Sequence, residues 1–197
     1  MRRWLLSAVA LFLFGAPAPL VWAQPMTAQL DPAATHVDFT LGDTLHTVHG
    51  SFRLKSGTLT LNSATGKASG TLVVDAASGA SGNHTRDGKM SRDILEAQKF
   101  PELTFTAHEV IGTLADAGPS HLEIRGIFRI HGQDHPLTLV VDAQSNAGIA
   151  DAVTKFEVPY VAWGMQNPSR AFLKVSPRVE ISIQTQARFV QLASEKR

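Results

Sequence analysis

Residues 83–90 (NHTRDGKM) crowd polar and charged side chains between two apolar, alternating segments. Three kinds of site use such a segment: a catalytic loop, a metal-binding loop, and the polar rim of an apolar pocket. The first two require further functional groups elsewhere in the chain, whereas a rim requires only an apolar interior beneath it.

Acid–base catalysis has few candidates near this segment. Asp87, Asp93 and Glu96 could cooperate, but the same positions also suit helix-terminus charges and an ion pair between Arg86 and Asp87. No serine lies in a G-x-S-x-G sequence, and no phosphate-binding loop or dinucleotide fingerprint occurs. We therefore expect a protein that is not an enzyme and has no catalytic residues.

Two pairs among the eight histidines are the metal-ligand candidates. His46 and His49 would point to opposite faces of a strand but could converge on a turn, and His131 and His135 flank a turn where they could also converge. Cysteine is absent from the sequence, which excludes thiolate metal sites, iron–sulfur clusters and disulfides. A histidine-based metal site is the least favoured of the interpretations left open.

Residues 158–170 (VPYVAWGMQNPSR) place large side chains in a segment punctuated by prolines. Tyr160, Trp163 and Met165 would be costly to expose on a loop, so they must cover something apolar. They either plug the end of a core or line a ligand entrance, where amphipathic tyrosine and tryptophan suit the boundary between apolar and polar surroundings.

The first 23 residues have the features of a secretory signal peptide. Arg2 and Arg3 precede an apolar run that is too short to span a bilayer, and cleavage is expected after Ala23. Cleavage would leave residues 24–197 as one domain, with 16 basic against 17 acidic residues. We expect a periplasmic location, and the balanced charge gives no reason to expect a nucleic-acid partner.

Apolar and polar residues alternate through most of the remaining chain. The clearest run is residues 121–131, in which every second side chain is apolar or glycine. Such alternation is typical of antiparallel strands with one dry face. Seven or eight runs separated by turn sequences predict an all-β fold, either a sandwich or a closed barrel.

One segment departs from this alternation. Residues 91–100 (SRDILEAQKF) have helical spacing, with Ser91 as a plausible N-cap and Pro101 as a stop. The sequence predicts a short helix here, directly after the polar segment 83–90, lying across one end of the sheet.

Five short segments, in this order and at suitable spacings, resemble the YceI-like family of exported lipid- and polyisoprenoid-binding proteins. They are residues 30–36 (LDPAATH), 49–52 (HGSF), 83–90 (NHTRDGKM), 100–105 (FPELTF) and 126–132 (GIFRIHG). One departure lies in the late loop. Many relatives have an Arg-x-x-Phe/Trp-Gly sequence there, whereas this chain has no arginine in residues 159–164 (PYVAWG).

The resemblance implies an eight-stranded antiparallel barrel of lipocalin type with a short capping helix. It also implies that an elongated interior holds an isoprenoid, a quinone-like molecule or another apolar lipid without changing it chemically. No cofactor is then expected beyond the bound lipid. The expected partner is a long-chain lipid, with no nucleic acid and no stable membrane insertion, and a homodimer stays open.

Side chains that share the inward phase of the strands are predicted to line the pocket. Small residues such as Gly126 would leave room for the lipid tail, and Tyr160 and Trp163 would stand near an entrance. The predicted ligand-binding residues are Phe39, Leu41, Leu72, Val74, Arg86, Phe105, Ile124, Phe128, Leu139, Phe156, Val158, Tyr160, Trp163, Ile181 and Ile183.

Two roles are open for Arg86. As part of a polar lip, Arg86 and Lys89 would meet an anionic or carbonyl head group while the helix folds over the tail. As a pin, Arg86 and Asp87 would only hold the loop to its neighbours.

For the whole protein, the second interpretation after a lipid carrier is a structural or interaction barrel filled by its own side chains.

Overall fold

A computed structural model describes residues 25–44, 46–169 and 174–191, so the predicted signal peptide lies outside the described residues. In these ranges the chain forms mostly strands and one short α-helix, α1 (His84–Lys89). The strands are β1 (Met26–Leu30), β2 (His36–Gly42), β3 (Thr47–Phe52), β4 (Leu54–Asn62), β5 (Lys67–Asp75), β6 (Glu102–Ile111), β7 (Gly118–Ile130), β8 (Gln133–Asn146), β9 (Ile149–Val158) and β10 (Val179–Gln191). No helix within the described ranges is both long and apolar enough to cross a membrane.

The strands close into an eight-stranded antiparallel barrel. β4 to β10 pair in chain order, and β1 completes the ring because it pairs with β4 on one side and β10 on the other. In this register Ala28 faces Leu59 of β4 and Phe189 of β10. The predicted barrel is confirmed, and a two-sheet sandwich is excluded because the β1–β10 pairing closes the sheet on itself.

β2 and β3 extend the wall at one end of the barrel. β10 is long enough to pair with β1 through its second half and with β2 through its first half, where Ile181 faces Phe39. Within the described residues β3 pairs with β2, and a bridge between Ser51 and Ala80 joins β3 to the segment after β5. At this end the wall therefore includes the segment that carries α1, because strands alone do not complete it.

α1 begins earlier than the sequence predicts. Asn83 is the N-cap, since its side-chain oxygen accepts the backbone N–H of Arg86 at 3.1 Å. The helix continues as a π-helical turn over Met90–Ile94, and Glu96 ends it by adopting a left-handed backbone with φ of 46°. The helix expected over residues 91–100 is therefore wrong in position: the chain is already helical when it reaches Ser91.

At the end of the barrel away from β3, a buried apolar cluster fills the interior. Leu72, Phe105, Ile124 and Leu139 belong to a buried cluster that also contains Leu122, near the far end of β7. The expectation that Gly126 leaves room for a ligand tail is wrong. A Cβ atom at Gly126 would lie 2.8 Å from Cζ of Phe105, so the phenyl ring already occupies that space.

Candidate ligand-binding cavity

The barrel end next to β2 and β3 encloses a cavity of about 860 Å³. Its wall consists of inward-facing apolar side chains, and its size is within the range of small-molecule sites. They are Val37, Phe39 and Leu41 of β2, Val48 and Phe52 of β3, Val74 of β5, Leu103 of β6, Phe128 and Ile130 of β7, Phe156 and Val158 of β9, and Val179, Ile181 and Ile183 of β10. Strand alternation thus supplies the apolar surface directly.

Residues outside the strands complete the apolar lining. Met90 and Ile94 reach the cavity from the π-helical turn, and Tyr160 and Met165 reach it from the turn after β9. The Tyr160 hydroxyl donates a hydrogen bond to the carbonyl oxygen of Ser176 at 2.8 Å. Burial raises the pKa of Tyr160, so this hydroxyl stays protonated at neutral pH and remains a donor.

Polar residues gather on one side of the cavity lining. Most of them are exposed, so they mark the rim where the cavity meets solvent. They come from the β2–β3 connection, the helical segment and the loop after β9, and are Asp43, His46, Ser81, Asn83, Thr85, Arg86, Lys89, Asp93, Gln166, Asn167 and Ser169. Below we call these residues the rim. An amphipathic ligand could therefore bury its tail and keep its head group hydrated.

Arg86 lines the cavity and also braces the segment that carries it. Its Nε donates to Oγ of Ser81 at 2.7 Å, and its Nη2 donates to the Ser81 carbonyl oxygen at 2.9 Å. The carboxylate of Asp87 accepts the Ser81 N–H at 2.9 Å and also the Ser81 hydroxyl. The pairing expected between Arg86 and Asp87 thus runs through Ser81, which ties the start of α1 to the chain before it.

The rim carries charges of both signs. Asp43 is almost fully buried, with 6% of its side chain exposed; its carboxylate accepts the backbone N–H of His46 at 2.8 Å and lies 3.4 Å from Nε2 of that ring. Arg86 and Lys89 contribute positive charge and Asp93 a further negative one. The rim is therefore suited to a polar head group but has no single dominant charge.

Most residues predicted to bind ligand are placed on the cavity lining. They are Phe39, Leu41, Val74, Arg86, Phe128, Phe156, Val158, Tyr160, Ile181 and Ile183. Their contact with a ligand stays a prediction, because a position on the lining gives access to the cavity and no more.

Four predicted pocket residues do not reach the cavity. Leu72, Phe105, Ile124 and Leu139 point inward as expected, but they pack against one another in the solid part of the interior. The alternation gives their phase correctly. Their depth along the barrel depends on how many large side chains meet there, which a single strand does not reveal.

Trp163 is not at the cavity entrance, where the sequence had placed it. Its ring stacks on His135, with centroids 4.0 Å apart and planes within 9°, and lies 6.1 Å from the ring of Phe128. Trp163 therefore packs beside Phe128 and His135 and does not line the cavity. Burial lowers the pKa of His135 while the Asp134 carboxylate opposes that shift, so the neutral ring is favoured in this stack.

Several lining residues were missed by the sequence prediction. Val37, Val48, Phe52, Leu103, Ile130 and Val179 share the inward alternation of the residues that were chosen, so the same signal could have identified them. Met90, Ile94 and Met165 come from irregular segments, where a two-residue period carries no information about direction.

The candidate histidine pairs do not converge. His49 makes a contact of 3.2 Å with the hydroxyl of Thr40, and His131 lies 2.9 Å from the carboxylate of Glu96. His135 is engaged with Trp163. Among the described residues, no three histidines or carboxylates are grouped so that they could hold a metal ion.

Several solved structures share this fold. A polyisoprenoid binding domain from Saccharophagus degradans matches with a TM-score of 0.65 and 17% identity over 82% of this chain and 97% of its own. BcnA of Burkholderia cenocepacia matches with a TM-score of 0.65 and 16% identity over 80% and 98%. The YCEI protein of Campylobacter jejuni matches with a TM-score of 0.58 and 17% identity over 78% and 88%. At these identities the likeness establishes the fold.

Sequence comparison establishes the family. A search of curated proteins gave no match. The family model described as the YceI-like domain matches residues 29–187, which include nearly all of the barrel. The barrel, its cavity and this match together identify the chain as a member of the YceI-like family.

Proposed function

We propose that this protein is a periplasmic carrier that sequesters a long-chain isoprenoid, a quinone-like molecule or another apolar lipid in its barrel cavity, without catalysis. One observation carries the proposal: an apolar cavity of about 860 Å³ is bordered by an exposed polar rim. The Saccharophagus degradans relative is described as a polyisoprenoid binding domain, which supports the same ligand class.

The apolar wall can supply the binding free energy by itself. Each methylene group removed from water contributes roughly 0.8 kcal/mol, so a chain of about ten carbons gains roughly 8 kcal/mol before ordering costs are subtracted. A polar head group needs only to stay hydrated at the rim. Affinity would therefore depend mainly on the length and fit of the apolar chain.

The polar groups nearest the wall are engaged in structural bonds. The Tyr160 hydroxyl donates to the Ser176 carbonyl oxygen, and two donor nitrogens of Arg86 bind Ser81. These contacts hold in place the helical segment and the turn after β9, which together we call the cover of the cavity. Binding without reaction is the simplest use of such a site, because it requires a dry interior and a polar rim but no poised nucleophile or base.

Export to the periplasm belongs to the same proposal. Residues 1–23 have the charge, apolar run and cleavage sequence of a signal peptide, and the chain contains no cysteine whose oxidation would matter there. Periplasmic fractionation of cells that make the protein, with N-terminal sequencing of the product, checks both the location and the expected cleavage after Ala23.

The direct test is mass spectrometry of an organic extract from untagged protein purified without detergent. We expect about one lipid molecule per protein. Ile181→Trp, which places about six more non-hydrogen atoms in the cavity, should reduce the recovered lipid. The matched control is Ile149→Trp, whose site is 39% exposed and faces solvent, and it should retain the lipid. A folded wild-type protein with a lipid-free extract would instead favour a structural or interaction barrel.

A further inference from the structure

The cavity has a sharp lower boundary on adjacent strands. On β5 the wall residue Val74 is followed, one inward position deeper, by Leu72, which is packed in the solid cluster. On β6 the same change occurs between Leu103 and Phe105. A chain that enters from the rim along these two strands would therefore meet packed side chains.

Phe105 is the largest of the buried side chains in this cluster. It is 4% exposed, and its backbone is in register with Leu72 on β5 and Phe128 on β7. Phe128 lines the cavity, whereas Phe105 fills the space over Gly126 on the same neighbouring strand. Because Gly126 has no side chain, the phenyl ring of Phe105 can extend across the barrel interior.

We infer that Phe105, together with Leu72, forms a floor that limits the length of the apolar chain this protein accepts. The inference rests on the proposed function, since it concerns the same cavity. At about 30 Å³ per non-hydrogen atom, the share of liquid volume taken by one water, 860 Å³ corresponds to about 29 such atoms. The accepted ligand is thus a single chain of roughly 20–30 carbons with its head group at the rim.

A floor of this kind gives a steep length limit. A chain that fits exchanges one apolar environment for another when it moves from a lipid bilayer into the cavity. Any carbons that do not fit must protrude into water, and each such methylene lowers the partition constant about fourfold. Occupancy should therefore stay nearly constant up to the limit and fall abruptly beyond it.

The experiment uses phosphatidylcholine vesicles that carry an equimolar series of even-numbered straight-chain primary alkanols, from tetradecanol to tetratriacontanol. Purified protein is incubated with the vesicles and separated, and its bound alkanols are quantified by mass spectrometry. Phe105→Leu removes about three side-chain carbons and Phe105→Ala about six, before any relaxation of the surroundings. The longest alkanol bound should therefore be longer by up to about three carbons in Phe105→Leu and up to about six in Phe105→Ala.

Val74→Phe tests the floor in the opposite direction without removing core atoms. It adds about four carbons just above Leu72 and should shorten the limit by a similar number. The matched control is Leu122→Ala, which opens a space deeper in the same packed cluster and should leave the limit unchanged. Circular dichroism melts identify any variant that fails to fold. If Phe105→Ala does not fold, the comparison rests on Val74→Phe and Phe105→Leu.

The possible outcomes separate this inference from the proposed function. If the wild-type protein takes up no alkanol, the proposed function fails and the inference fails with it. If alkanols bind without an upper limit, or if the limit is unmoved in Phe105→Leu and Val74→Phe, the floor is overturned while lipid binding stands.

Discussion

The guanidinium group of Arg86 donates to both the hydroxyl and the backbone carbonyl oxygen of Ser81, at 2.7 and 2.9 Å. The two residues lie on either side of the Asn83 cap, so these bonds close a loop around the start of α1. Because Arg86 also lines the cavity, it is placed both to stabilise the cover and to approach a head group.

The Arg86→Ala variant separates these two roles. We expect loss of the Ser81 bonds to lower the free energy of unfolding by about 1 kcal/mol, a value reduced for a half-buried, solvent-screened group. Melting of apo and lipid-loaded protein should fall together, as a pin requires. Loss of lipid with unchanged melting would contradict this and assign Arg86 to the head group.

Lys89→Ala is the matched control for Arg86. Lys89 is exposed and lines the cavity from the same helix, and its side chain makes no hydrogen bond or ion pair with any of the described residues. Its removal should leave the free energy of unfolding within about 0.5 kcal/mol of that of the wild type, as for surface substitutions generally. A change in lipid affinity in this variant alone would therefore report a head-group contact.

The position of the helix shows what local sequence signals leave undecided. Asn83 and Ser91 are both good N-caps by type, and both precede residues that tolerate a helix. The earlier cap is used because the Ser81–Arg86–Asp87 bonds stabilise the turn that follows Asn83. That cluster depends on side-chain geometry, which residue spacing does not specify.

The extent of the cavity shows a second limit. Alternation assigns Phe105 and Phe128 correctly to the inward face, and the two residues are direct neighbours across β6 and β7. One lies in the packed cluster and the other on the cavity wall. The difference arises from what each ring meets on its neighbouring strands: the Phe105 ring lies over Gly126 of β7. The barrel is therefore predictable from each strand, but its hollow part is not.

Tyr160→Phe should weaken the cover without changing the apolar wall. The variant loses the hydrogen bond to the Ser176 carbonyl oxygen, which is worth about 1 kcal/mol, and leaves that oxygen without this partner. We expect a corresponding fall in urea-unfolding free energy and an unchanged lipid affinity. A large affinity loss at unchanged stability would show that the hydroxyl serves the ligand.

Glu96 combines a strained backbone with a useful side chain. Its φ of 46° is unusual for a residue other than glycine, and its carboxylate lies 2.9 Å from Nε2 of His131. Glu96→Ala loses the contact and keeps the strain, whereas Glu96→Gly loses the contact but relieves the strain. We therefore expect Glu96→Gly to be about 1 kcal/mol more stable than Glu96→Ala in urea unfolding. Equal stabilities would mean that the left-handed backbone is not strained.

His135 should make stability depend on pH. Burial against Trp163 lowers the pKa of His135 below its ordinary value of 6.5, so between the two values the unfolded chain binds more protons than the folded one. The stability that comes from keeping this ring neutral is present above pH 6.5 and is lost as the pH falls through the folded-state pKa. Wild-type unfolding free energy should therefore decrease between about pH 7 and about pH 5.

The His135→Phe variant separates the contribution of His135 to the pH dependence of stability from those of the other histidines. His135→Phe retains a flat ring against Trp163, removes the titrating group, and removes Nε2, a buried nitrogen without a hydrogen-bond partner among the described residues. We expect the variant to be at least as stable as wild type at about pH 8, because an unsatisfied buried polar atom is destabilising by about 1–3 kcal/mol. The difference between variant and wild type should widen in urea unfolding at about pH 5, because only the wild type loses stability as His135 titrates. A difference that stays constant across this range would mean that His135 titrates alike in the folded and unfolded chains.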